Sequence, residues 1–240
     1  MNDHTILLMR QWAETYNNPV YFETDPIAFP RHFMTEYKAG RAGAKDVEVA
    51  ALLAAHLAWG RRAMIVRDCT RLFDEMAWRP YDYVMRGSWR SDAASLHRTV
   101  RWSEMAAIFC RIREHYLRMD TLEDLSVEDF RCAIYGSKPD KSAPNKKINM
   151  MRRWLVRTDG KVDLGLWRNT SPADLLIPLD VHVHTVARQV GITGRKQTDI
   201  RTVGEITGFF REIFPDDPCL GDFALFGYGV TGQTEINEIQ

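Results

Sequence analysis

Apolar residues recur at helical spacing along almost the whole chain. Val47, Ala50, Ala51, Ala54, Leu57 and Ala58 form an i, i+3, i+4, i+7 stripe. Asp46, just ahead of Val47, is placed to cap that helix. Gly60 interrupts the pattern, which resumes over 61–78 through Ile65, Cys69, Leu72, Phe73 and Met76. Pro80 opens a short helix. Met105, Ile108, Phe109, Ile112 and Tyr116 share one face of a helix expected over 103–119. Ser126 is a cap for a further segment running to Tyr135. Gly, Pro and Ser over 136–144 predict a loop. A helix follows over 146–157. Gly160, Gly165, Pro172 and Pro178 predict irregular chain over 158–178. Three more helices complete the pattern. One runs from Asp180 to a stop at Gly191. The next spans 200–213, and the last runs from Asp217 or Leu220 to about Tyr228. No stretch alternates with period two for long enough to demand a sheet. The pattern predicts an all-α protein with an N-terminal helical extension (1–45), one helical lobe (46–140), a second lobe (141–230) and a polar, flexible tail (231–240).

Composition narrows the class. The chain has 240 residues and 45% hydrophobic content, enough for one good core or a core with a small subdomain. Its formal net charge is zero, so no whole-molecule field draws nucleic acid. Any basic face must come from clustering. The stretch 138–168 holds nine basic residues against three acidic ones, and Arg61, Arg62, Arg67 and Arg71 form a second cluster. Both clusters are compatible with phosphate contacts and equally with solvated helix faces. Apolar runs are too short for a membrane span. The N-terminus lacks a basic n-region and cleavage site. The four cysteines are scattered without a CxxC pair, which argues against a local zinc or iron–sulfur site and fits a reduced cytoplasm. No metal and no cofactor are expected.

The most pointed stretch is Ile177-Pro178-Leu179-Asp180-Val181-His182-Val183-His184. A carboxylate at a helix start caps free backbone N–H groups, and it can also serve catalysis. Both roles remain open for Asp180. His182 and His184, two apart, face different sides of a helix and make a poor metal pair.

The order of a Lys-rich helix (Lys146, Lys147, Arg152, Arg153, Trp154), then Asp180 with His182, Arg188 and Gly191, then Asp222 to Gly229 resembles the helix–hairpin–helix DNA glycosylase superfamily. Endonuclease III and the archaeal 8-oxoguanine glycosylases belong to it. The segment 47–72 resembles that superfamily's early helix. A closer resemblance is to an uncharacterised bacterial family of conserved hypothetical proteins. Asp25-Pro26-Ile27, Ala58-Trp59-Gly60-Arg61-Arg62, Arg153 to Arg157, Val162 to Trp167 and Ile177 to His182 carry it. The glycine-rich hairpin usual in the superfamily is absent, and Thr158-Asp159-Gly160-Lys161 is its nearest counterpart. The iron–sulfur cysteines after the last helix are absent too.

The glycosylase resemblance implies two lobes around a cleft, DNA as partner, and excision of a flipped base with accompanying lyase chemistry. Asp180 would stabilise the oxocarbenium-like sugar or orient a water. Lys147 or Lys146 would supply an amine nucleophile, each lowering the other's pKa, with Lys161 ranked third. Arg61, Arg62, Arg153, Arg157, Lys161 and His182 are expected contacts to nucleic acid. Trp59, Trp154, Trp167 and His56 are expected to line a base pocket. Each aromatic residue also fits plain core packing. The alternative function is a catalytically silent module on the same scaffold that binds nucleic acid or a nucleoside. A helical protein serving a protein partner is the third reading.

Overall fold

Local sequence signals set most of the helix ends in the computed structural model, which describes residues 3–231. The expected tail at 231–240 falls, but for Thr231, outside the described residues. The helices are α1 (Asp3–Tyr16), α2 (Ala28–Lys38), α3 (Ala44–Leu57), α4 (Arg62–Glu75), α5 (Pro80–Met85), α6 (Trp102–Tyr116), α7 (Val127–Asp129), α8 (Lys146–Val156), α9 (Val181–Gln189), α10 (Ile200–Ile213) and α11 (Leu220–Thr231). The protein is mainly helical, as the apolar spacing predicts. One feature departs from that expectation. Ser95–His97 (β1) and Val100–Arg101 (β2) pair as a small antiparallel hairpin. Strands this short carry no readable alternation.

The caps explain the boundaries. Asp199 accepts from the Thr202 N–H at 2.9 Å and starts α10. Ser126 accepts from the Asp129 N–H at 3.1 Å and starts α7, which passes into a π turn over Phe130–Ile134. Pro80 stands at the first position of α5. Asp46 is corrected by one turn. The helix begins at Ala44, and the Asp46 carboxylate reaches back to the Gly43 N–H at 2.9 Å as an N3 partner. Its other oxygen accepts from the Tyr81 N–H.

The chain divides into two compact units, Met1–Phe22 with Asp140–Gln240, and Glu23–Pro139. The N-terminal segment is not a separate extension: α1 belongs with the C-terminal helices, and α2 packs on α3.

In the first unit α11 is the central helix. Glycines let its neighbours approach closely. A Cβ at Gly221 would lie 2.1 Å from the Phe210 ring of α10, and one at Gly227 would lie 2.2 Å from the Tyr16 ring of α1. Trp12 stacks on Tyr228 with centroids 3.9 Å apart, which fixes α1 on α11. Gly229 admits His182 of α9. In the second unit α3 is buried along nearly all its length. Phe29, Phe33, Phe73 and Trp78 stack into one aromatic cluster between α2 and the end of α4.

No described helix is long and apolar enough to cross a membrane. Among the described residues, no group of three or more His, Cys, Asp or Glu is placed to hold a metal ion.

Candidate functional site

The Lys-rich helix α8 begins with two lysines, both half-buried. Asn145, just before them, takes a left-handed conformation (φ 49°) that turns the chain out of the preceding loop. Burial and then the neighbouring Lys146 charge bring the Lys147 ammonium down to about 8. The positive end of the helix dipole acts in the same direction. Lysines at adjacent helix positions repel each other at close range, and the Lys146 charge adds to the burial of Lys147.

Asp180 sits at the start of α9 in extended conformation and accepts from the Val183 N–H at 2.9 Å. The capping role is therefore real. Its carboxylate spends only one oxygen on the cap, and the other has no hydrogen-bond partner among the described residues. The buried run Ile177-Pro178-Leu179 anchors the residue from behind, while Val181 beside it is 75% exposed. His182 is exposed and stands edge-on to Phe226. His184 is buried, and its Nε2 lies 3.0 Å from the Arg195 carbonyl, so it supports the loop after α9. The two histidines diverge, as their spacing predicts.

Two expected phosphate contacts are corrected. Arg153 and Arg157, one helical turn apart on α8, are 4% and 1% exposed. Arg157 spends its whole guanidinium on aspartates: Nε on Asp217 at 2.9 Å, Nη1 on Asp163 at 2.5 Å, and Nη2 on Asp159 at 2.9 Å. Arg153 pairs with Asp222 and lies 3.3 Å from Asp163. The Phe223 ring lies beneath both guanidinium groups. Both guanidinium groups are buried against carboxylates and present no surface to DNA. Asp222 is pushed up to about 6, mainly by burial; Arg153 opposes the shift, and the Asp180 and Asp163 charges add to it. Burial likewise raises Asp163. No local pattern marks this network, because its aspartates lie up to 69 residues from their arginines.

The tryptophans of this unit are also corrected. Trp154 and Trp167 are 1% and 2% exposed and belong to the core, so neither offers a face to a base. The Trp167 N–H bonds the Leu155 carbonyl, tying the irregular segment to α8. Lys161 is exposed. Its N–H donates to Asp159, and Gly160 (φ 71°) closes a tight turn there. That turn leads into irregular chain rather than directly into a helix.

The remaining expected residues lie in the other unit. His56 stacks on Tyr135 at 5.0 Å. Trp59 and Gly60 form the break between α3 and α4, and Arg61 and Arg62 follow. Arg62 lies 3.7 Å from Asp25, while Arg61 is exposed. Beneath this break lies a polar pair that the sequence did not flag. His97, fully buried, places Nδ1 2.8 Å from Asp68 and Nε2 2.9 Å from the Trp59 carbonyl. The imidazole thus bridges the Asp68 carboxylate and the Trp59 carbonyl. Burial works against the Asp68 charge, but the hydrogen bonds from Arg67 and His97 outweigh it and hold the carboxyl below its usual range.

A family model described as protein of unknown function (DUF2400) matches residues 25–137 and 126–231. No curated protein and no solved structure matches the chain.

Proposed function

The chain belongs to this DUF2400 family, and on that premise we propose that it is a DNA-processing enzyme, a base-excision glycosylase with lyase capacity that acts on a flipped base. The reading takes the helical scaffold as glycosylase-like. The observation that carries it is Lys147. With its ammonium near 8, about a quarter of the side chain is free amine at pH 7.5, against about one part in a thousand for an ordinary lysine. A free amine can attack the sugar C1′ carbon, displace the base and form a Schiff base, which opens the way to strand cleavage.

Asp180 supports the reading from its own chemistry. Breaking an N-glycosidic bond builds positive charge on the sugar, and a fixed carboxylate stabilises that charge or orients a water. The cap to Val183 fixes Asp180 and leaves one oxygen available. A base taken out of the stack is the substrate form such a site requires.

Base release and strand nicking on a panel of damaged duplexes test the proposal. The wild-type protein is expected to release a base from at least one lesion, and Lys147→Gln to abolish nicking there. No release from any lesion contradicts the proposal.

A further inference from the structure

The second unit carries an arginine surface that the chemistry proposed for Lys147 and Asp180 does not use. Arg61, Arg67, Arg71 and Arg98 are exposed around the first half of α4. Three of them, Arg67, Arg71 and Arg98, are held by fixed groups. Arg67 Nε donates to Asp68 at 2.8 Å, and its side chain remains 63% exposed. Arg71 donates to the Leu96 and Ser95 carbonyls of β1 at 3.2 and 3.3 Å. Arg98, in the hairpin turn, takes the left-handed conformation (φ 53°) that an arginine rarely adopts. It lays its guanidinium over the Trp59 ring, 4.6 Å from the centroid. Gly60 makes that seat possible: a Cβ there would lie 2.8 Å from Arg98 Nη1. The Trp59 carbonyl is bonded to His97, and His97 to Asp68, so one buried chain of contacts positions all three arginines.

The charge balance is one-sided. Among the described residues, the carboxylates paired with this surface are Asp68, buried beneath Arg67 and Arg71, and Asp25, beside Arg62. Arg61 and Arg98 make no ion pair there. Arg61 to Arg71 spans on the order of 15 Å along the helix, about four nucleotide steps of one strand. Arg98, strained and stacked, with Arg67 and Arg71 held beside it, suits an extended polyanion rather than a single ion.

We propose that this surface binds the phosphate backbone of duplex DNA, without reading sequence, through Arg61, Arg67, Arg71 and Arg98. The inference rests on DNA being the partner and is independent of the Lys147 chemistry.

Anisotropy of a labelled undamaged duplex, titrated over a series of KCl concentrations, tests it. Each of Arg67→Ala, Arg71→Ala and Arg98→Ala should flatten the slope of log K against log[salt] by about 0.9, and Arg67→Lys should leave the slope unchanged. Partial misfolding lowers the bound amplitude without changing that slope. Slopes untouched by all three substitutions overturn the proposal. So does wild-type protein that ignores duplex at low salt, whether or not it takes up heparin or anionic vesicles. A protein that binds with the expected slopes but releases no base keeps this surface and loses the enzyme reading. One that releases base with unaltered slopes does the reverse.

Discussion

Arg153 of α8 and Asp222 of α11 form an ion pair inside the first unit, with the Phe223 ring against the guanidinium. Both side chains are about 5% exposed. Removing one partner of such a pair leaves an uncompensated buried charge. Arg153→Ala should therefore cost about 3–5 kcal/mol of stability, read as a lowered urea midpoint.

The same pair sets a pH dependence. The Asp222 carboxyl titrates at about 6 in the folded chain, above its ordinary value. The folded state thus holds that proton more tightly than the unfolded state. Stability should fall as pH rises from about 4 to about 6, and the penalty is complete above that, by at most about 3 kcal/mol. Asp163, also raised, acts in the same sense. Asp222→Asn should flatten the fall. A wild-type urea midpoint that climbs through this window would refute the assignment.

Lys147 and Lys146 make a kinetic prediction. The rate of imine formation should rise with pH around a midpoint of about 8, following the Lys147 free amine. Lys146→Ala removes a neighbouring positive charge, so the midpoint should move to higher pH. A pH profile of the single-turnover rate checks both the midpoint and its direction of movement.

Asp180 and Asp199 are matched N-caps, each accepting from the N–H three residues on at 2.9 Å. Asparagine caps about as well as aspartate. Asp180→Asn and Asp199→Asn should both melt within a few tenths of a kcal/mol of wild type, whereas alanine at either position costs about 1 kcal/mol. Only the Asp180 substitution should slow base release. Equal activity losses at the two positions would reduce Asp180 to a structural cap.

Gly227 faces the Tyr16 ring at a distance no side chain tolerates. Gly227→Ala should separate α1 from α11 and destabilise the protein by about 1–3 kcal/mol. Loss of the near-ultraviolet signal of the stacked Trp12 and Tyr228 rings would report the separation.

The helical plan was legible because its signals are local. The stripe through Ile65, Cys69 and Leu72, the Ser126 cap, Pro80 and the glycine at 191 each act within one or two turns. The expected start of α10 at residue 200 coincides with the observed one. The hairpin at 95–101 was not legible, since three residues paired with two leave no period. Side-chain partners were harder still. Arg153 and Arg157 read as surface charge, but their aspartates come from the irregular segment after α8 and from around the start of α11. Trp154 and Trp167 fit both a pocket and a core, and burial decided for the core. Arg67 and Arg71 stood out as a basic pair. Their link to Arg98 runs through a buried histidine and a strained turn that no spacing rule reveals.

Borohydride trapping followed by peptide mapping tests the central claim most directly. On a duplex whose damaged base is released, the account predicts a covalent adduct on the peptide carrying Lys147, absent from Lys147→Gln and retained by Lys161→Gln. An adduct that persists in Lys147→Gln, or no adduct under conditions of active base release, would contradict it.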